Sequence, residues 1–165
     1  KNGKCIRSFC NEYLGFTGER IGAAISWGYR QDQDTLKPSY ENTGATAMYF
    51  MLNRASRMPS SGVRELTAER AFQLGGKEGY FVVAIAKNPK AEDMNPPFDA
   101  SSHGGVVAPV PWEEKYDPAQ GPMIMQAGAK LGPKSAAKSF LGLEKPRYFL
   151  IPMIEPPKPE PARYR

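Results

Sequence analysis

Histidine, cysteine and paired carboxylates are the side chains of this sequence that could do chemistry, and they are sparse. His103 is the sole histidine and stands in the run SSHGG with no carboxylate at an orienting spacing. General-base work needs an imidazole held by a partner, so a lone loop histidine reads as a surface residue. Cys5 and Cys10 are the only thiols. With one histidine they fall short of the four Cys/His ligands of a structural zinc site. A disulfide between them would suit an oxidising compartment, while two unpaired thiols are the simpler reading. The glycine run Gly75-Gly76-Lys77-Glu78-Gly79 lacks the spacing with which backbone amides cradle phosphate, and reads as a turn. Glu113-Glu114 and Glu92-Asp93 are sequence neighbours, not an acid and a base facing each other across a cleft. If the chain were an enzyme, His103, Glu113 and Tyr116 would be its nearest candidates. The pattern favours no catalysis.

The elements that must position these residues are constrained by composition. At 165 residues the chain is long enough for one ordinary core with extensions. Sixteen glycines and sixteen prolines make roughly a fifth of it, against a usual share of about 12%. Much backbone must then be irregular, although 41% apolar residues is too many for a disordered chain. Long loops without their own core gain order on a partner's surface, which supplies the buried area that offsets their conformational entropy. The net charge of +5 favours an acidic partner. Basic residues interleaved with aromatics occur only at Arg163-Tyr164-Arg165, so nucleic acid is not expected. No apolar run approaches the roughly 20 residues that span a bilayer. The chain begins at Lys1 without Met, which leaves room for a processed leader.

Periodicity predicts a helix over residues 18–33, with Thr17 as N-cap and Ile21, Ala24, Ile25, Gly28 and Tyr29 on one stripe. A second helix is predicted over 40–57, after Leu36-Lys37-Pro38, with Ser39 as cap and Ala45, Met48, Met51, Leu52 and Ala55 inward. Met48, Met51 and Met58 could form an adaptable binding face, but at this spacing core is the better reading. A third helix, residues 67–74, should close at Gly75-Gly76. Residues 80–86 (YFVVAIA) read as one short strand, with a fully buried helix segment as the alternative. Residues 88–122 read as a long proline-rich loop, 134–141 as a weak helix, and 146–165 as an extended arm ending in polyproline II. The expected fold is therefore mainly α: a helical unit over 1–87, an irregular partner-binding stretch over 88–145, and the arm over 146–165.

Residues 5–41 carry a more specific pattern. It comprises Cys5 with Phe9 four residues on, Arg20, Ala23-Ala24, Tyr29-Arg30-Gln31, Gln33, Lys37-Pro38 and Tyr40-Glu41. This run resembles a repeat of the phycoerythrin γ subunits, the pigmented linkers inside red-algal phycobilisomes; Glu69-Arg70-Ala71-Phe72 fits more loosely. One copy is present where family members carry two, and Asn53-Arg54 stands where the repeat often has a further cysteine. The resemblance implies a linker for light-harvesting in photosynthesis, bound to phycobiliprotein α/β hexamers and other linkers. It implies a chloroplast protein on the stromal face of the thylakoid membrane, peripheral and with no transmembrane segment. It also implies a linear tetrapyrrole, phycoerythrobilin or phycourobilin, thioether-linked at Cys5 or else Cys10. Arg7 or Arg30 could then pair with a bilin propionate. The aromatics available as partner anchors are Trp27, Tyr29, Trp112, Tyr116, Tyr148 and Phe149, with Tyr49, Phe50, Tyr80 and Phe81 beside them, and some of these belong to the core instead. The alternative is an accessory subunit of a photosystem, respiratory complex or ribosome.

Overall fold

The structure is a computed structural model and describes residues 30–31, 38–39, 45–89, 106–126 and 132–153. In chain order the elements are β1 (Arg30–Gln31), β2 (Pro38–Ser39), α1 (Ala45–Ala55), a 3-10 turn (Pro59–Ser61), β3 (Arg64–Leu66), α2 (Ala68–Leu74), β4 (Phe81–Ala86), β5 (Val106–Pro109), β6 (Met123–Gln126), β7 (Gly132–Ser135), α3 (Ala136–Ser139) and β8 (Arg147–Ile151).

The expectation of a mainly α fold with a single strand is overturned. A four-stranded antiparallel sheet in the order β3-β8-β4-β5 forms the centre, with β6 and β7 as a separate antiparallel pair. The central sheet takes strands from each of the three stretches distinguished in the sequence. Two misreadings account for most of the difference. Residues 146–151 are no arm: Tyr148, Phe149 and Leu150 face Leu66, Glu65 and Arg64 of β3 on one side and Ala84, Val83 and Val82 of β4 on the other. The stretch read as loop contains β5, which pairs Val107 with Ile85. Pro109 is tolerated as its last residue because β5 is an edge strand, where a missing N–H breaks no ladder. The helix expected over 18–33 is contradicted at Arg30–Gln31, which pair in antiparallel fashion with Pro38–Ser39. The helix expected to begin at Lys134 is one turn from Ala136, and Lys134 itself pairs with Ile124.

The sheet is apolar on both faces, which explains the unbroken run FVVAIA. Because successive strand residues point to opposite faces, Phe81, Val83 and Ile85 join Phe149, Ile151 and Val107 under α1, where Met48, Tyr49 and Leu52 complete the cluster. Val82, Ala84 and Ala86 turn the other way with Leu150, Tyr148, Ala108 and Val110, covered by Ala71 and Leu74 of α2 and by Ile124, Ala136 and Phe140. Sheet and covers thus make three layers. Leu52 and Phe149 are wholly inaccessible to solvent, and burying each such side chain stabilises the fold by about 1.5–3 kcal/mol.

Local chemistry sets the ends. Thr67 Oγ1 accepts the Arg70 N–H at 3.2 Å and caps α2, with Glu69 in its first turn. After α1, the Ala55 carbonyl accepts the Met58 N–H at 2.9 Å and the Ser61 hydroxyl at 2.6 Å, which ties the 3-10 turn to the helix end.

Candidate functional site

At one end of the central sheet β4 begins while β5 and β8 finish, and a cleft of about 540 Å³ opens there. Its walls are mostly apolar: Tyr80, Phe81 and Val82 from the start of β4, Pro109, Val110 and Pro111 from the end of β5, Met125 of β6 and Met153 beyond β8. The turn 76–79 forms the rim and adds Lys77 and Glu78. Volume and lining fall in the range of sites that hold an apolar ligand or an extended peptide. Tyr80 is 42% exposed and Trp112 is 65% exposed, so two aromatic rings face solvent at this end of the molecule.

Glycine geometry fixes the mouth. Gly76 has φ +64°, and a Cβ there would lie 2.1 Å from the Trp112 backbone N. Only glycine lets the turn and the segment after β5 approach this closely. The Val110 N–H continues the ladder to the Val82 carbonyl at 2.9 Å, holding the opposite wall. On the exit side a Cβ at Gly62, φ +69°, would lie 3.2 Å from the Pro152 ring.

Three polar features brace the fold, two of them at the opposite end of the sheet from the cleft. Arg147 Nε donates to Glu65 Oε1 at 2.6 Å, and its Nη2 donates to the second carboxylate oxygen. The hydrogen bond to Arg147 is the main reason the Glu65 carboxyl titrates below its ordinary range. The same guanidinium lies over the rings of Tyr49 and Phe149, at 5.7 and 5.4 Å from their centroids. Lys87 Nζ meets Glu144 Oε1 at 2.8 Å, and the Glu144 N–H donates to the Lys87 carbonyl at 3.0 Å. Glu113 Oε2 accepts the Met123 N–H at 3.0 Å, joining the loop after β5 to β6.

Of the residues singled out in the sequence, Cys5, Arg7, Cys10, Trp27, Tyr29 and His103 lie outside the described residues, and Arg30 is placed in β1. Trp112 stands exposed beside the cleft. Tyr116 leans on Phe72, ring centroids 5.1 Å apart, and burial, followed by the nearby Glu69 and Asp117, raises its pKa. Tyr148 and Phe149 are core residues, one on each face of the sheet. Burial pushes the Tyr148 hydroxyl up to about 12. Tyr80, one of the aromatic anchors that the sequence offers, stands at the surface of the cleft, whereas its neighbour Phe81 is buried in β4.

No family model, curated protein or solved structure matches the chain. Chemical reading must then rest on the groups themselves. Among the described residues no three His, Cys, Asp or Glu side chains gather where they could hold a metal ion. No helix among them is long and apolar enough to cross a membrane. The cleft carries no nucleophile paired with a base. It offers aromatic and apolar contact with one charge of each sign at the rim.

Proposed function

We propose that this protein is a non-catalytic linker of phycobiliprotein hexamers, peripheral to the stromal face of the thylakoid membrane in the chloroplast, where it sets hexamer order and tunes light-energy transfer. The observation that carries this reading is the run in residues 5–41 that resembles a γ-subunit repeat. Two physical features support it. The net charge of +5 draws the chain toward acidic phycobiliproteins, although exposed ion pairs contribute only about 0–1 kcal/mol each. Affinity then depends on aromatic anchors, for which the exposed Trp112 and Tyr80 are suited. A linear tetrapyrrole joined to Cys5, with Cys10 as the second choice, is part of the same proposal, and Arg7 or Arg30 would hold its propionate.

The test uses the native protein. Under high phosphate, which keeps phycobilisomes together, it should sediment with phycobiliproteins, and the acid-urea-denatured protein should absorb as a bilin with added mass on the Cys5 peptide. Co-sedimentation without pigment leaves a colourless linker. Sedimentation with a photosystem, respiratory complex or ribosome, or as free protein, overturns the proposal.

A further inference from the structure

Two aromatic rings among the described residues are exposed, and both stand at the cleft. Tyr80 is part of the wall, whereas the Trp112 ring follows the wall residue Pro111 and is not part of the lining. The backbone that carries the indole is held. A Cβ at Gly76 would lie 2.1 Å from the Trp112 N and 2.7 Å from its Cα, so the turn 76–79 and Trp112 pack backbone against backbone. The indole therefore projects from a fixed support, and little backbone freedom is left to lose when it docks. At about 540 Å³ the cleft is large enough to take one such ring. A knob and a hole thus share one end of the molecule. The rim adds Lys77 and Glu78, adjacent and exposed, with no ion pair to any described residue. A partner of a single sign would attract one of these and repel the other. A second copy satisfies both, because a twofold axis sets one residue against another and repeats the contact in reverse. Lys77 of each copy then meets Glu78 of the other.

We infer that two copies of this chain pair about a twofold axis at this end of the sheet, the Trp112 ring of each entering the cleft of the other. The contact is small. Four rings, Trp112 and Tyr80 from each copy, bury about 150–250 Å² apiece, which puts the pair in the class below about 1,200 Å² that associates weakly and reversibly. The dimer is a form of the free chain, since these rings are also the ones suited to a hexamer surface. Its failure leaves the linker reading standing, because the test contains no phycobiliprotein.

Sedimentation equilibrium of the full-length chain at low ionic strength, from micromolar to millimolar concentration, should show association that stops at the dimer. Trp112→Ala should weaken it about thirtyfold or more, the loss expected when a central aromatic anchor is truncated. Leu141→Ala should leave it unchanged: that exposed side chain lies three residues before Glu144, whose N–H bonds Lys87 beyond the far end of β4. Lys77→Glu and Glu78→Lys should each self-associate less than the unaltered chain, yet pair with one another when mixed, and the double variant Lys77→Glu/Glu78→Lys should regain the dimer. Far-UV circular dichroism checks that each variant folds. A chain that stays monomeric throughout, a dimer indifferent to Trp112→Ala, or charge variants that associate no better mixed than alone overturns the inference. So does assembly that continues past the dimer, because a head-to-tail contact does not close on itself.

Discussion

Replacing Gly76 by alanine should cost far more than the same replacement at Gly79, and the comparison isolates one feature of the fold. Both glycines have positive φ, +64° and +79°. Any L side chain there carries left-handed backbone strain of about 1–2 kcal/mol. At Gly79 that is the whole cost, because nothing lies within 4 Å of the added Cβ. At Gly76 the Cβ would meet the Trp112 backbone N at 2.1 Å and its Cα at 2.7 Å. Backbone atoms cannot swing aside like the end of a flexible side chain, so the segment after β5 must move. Overpacking of this kind adds about 1–3 kcal/mol. The expected total is about 2–5 kcal/mol for Gly76→Ala against about 1–2 for Gly79→Ala. Urea denaturation followed by far-UV circular dichroism measures both. At about 2–4 °C per kcal/mol, the two melting temperatures should also separate by several degrees. Equal losses of stability would refute the claim that the turn and the Trp112 segment are locked by close approach.

Acid should release the Glu65–Arg147 pair. The folded carboxyl titrates below its ordinary value of 4.5, so its contribution is present above that pH and is lost as pH falls through the folded value. Both partners are partly exposed, so the amount is about 1 kcal/mol, and Glu65→Gln should flatten this part of a stability-versus-pH curve. Alkali acts on Tyr148 in the opposite sense. Its hydroxyl is raised from 10.0 to about 12, so the folded state is favoured below pH 10 and loses that advantage as pH climbs to about 12; Tyr148→Phe should remove this step from an alkaline unfolding profile. In the core under α1, Leu52→Ala should cost about 2–5 kcal/mol in urea unfolding, whereas Leu141→Ala, at a side chain 86% exposed, should stay within about 0.5.

Some elements were legible because local and tertiary preferences agree. Gly75-Gly76 closes α2 as its spacing predicts, and the run 80–86 announces β4, since a strand buried on both faces has no polar residue to interrupt it. Within α1 the spacing Ala45, Met48, Leu52 matches the buried face, although Tyr49 is equally buried and was not expected. The failures share one cause. Proline marks irregular chain in a local reading, yet Pro146 and Pro152 only bracket β8, Pro109 closes an edge strand, and Pro133 lies within β7. Long-range pairing decides such segments, and no local period reveals it: Arg147 finds Glu65 across 82 residues. For the same reason Tyr148 and Phe149, plausible as outward anchors, are core, while Trp112 is exposed. The cleft was invisible because it forms from the ends of strands distant in sequence.

That β8 lies between β3 and β4 governs the order in which the molecule can be built. During synthesis β3, α2 and β4 emerge with their inner edges unsatisfied, and they wait for a segment made more than sixty residues later than Ala86, the end of β4. Until Arg147–Ile151 slots in, neither apolar layer is closed, and the open edges can recruit strands from other molecules. Chains cut short before residue 147 therefore lack the keystone of both layers, and self-association is the fate their exposed edges favour.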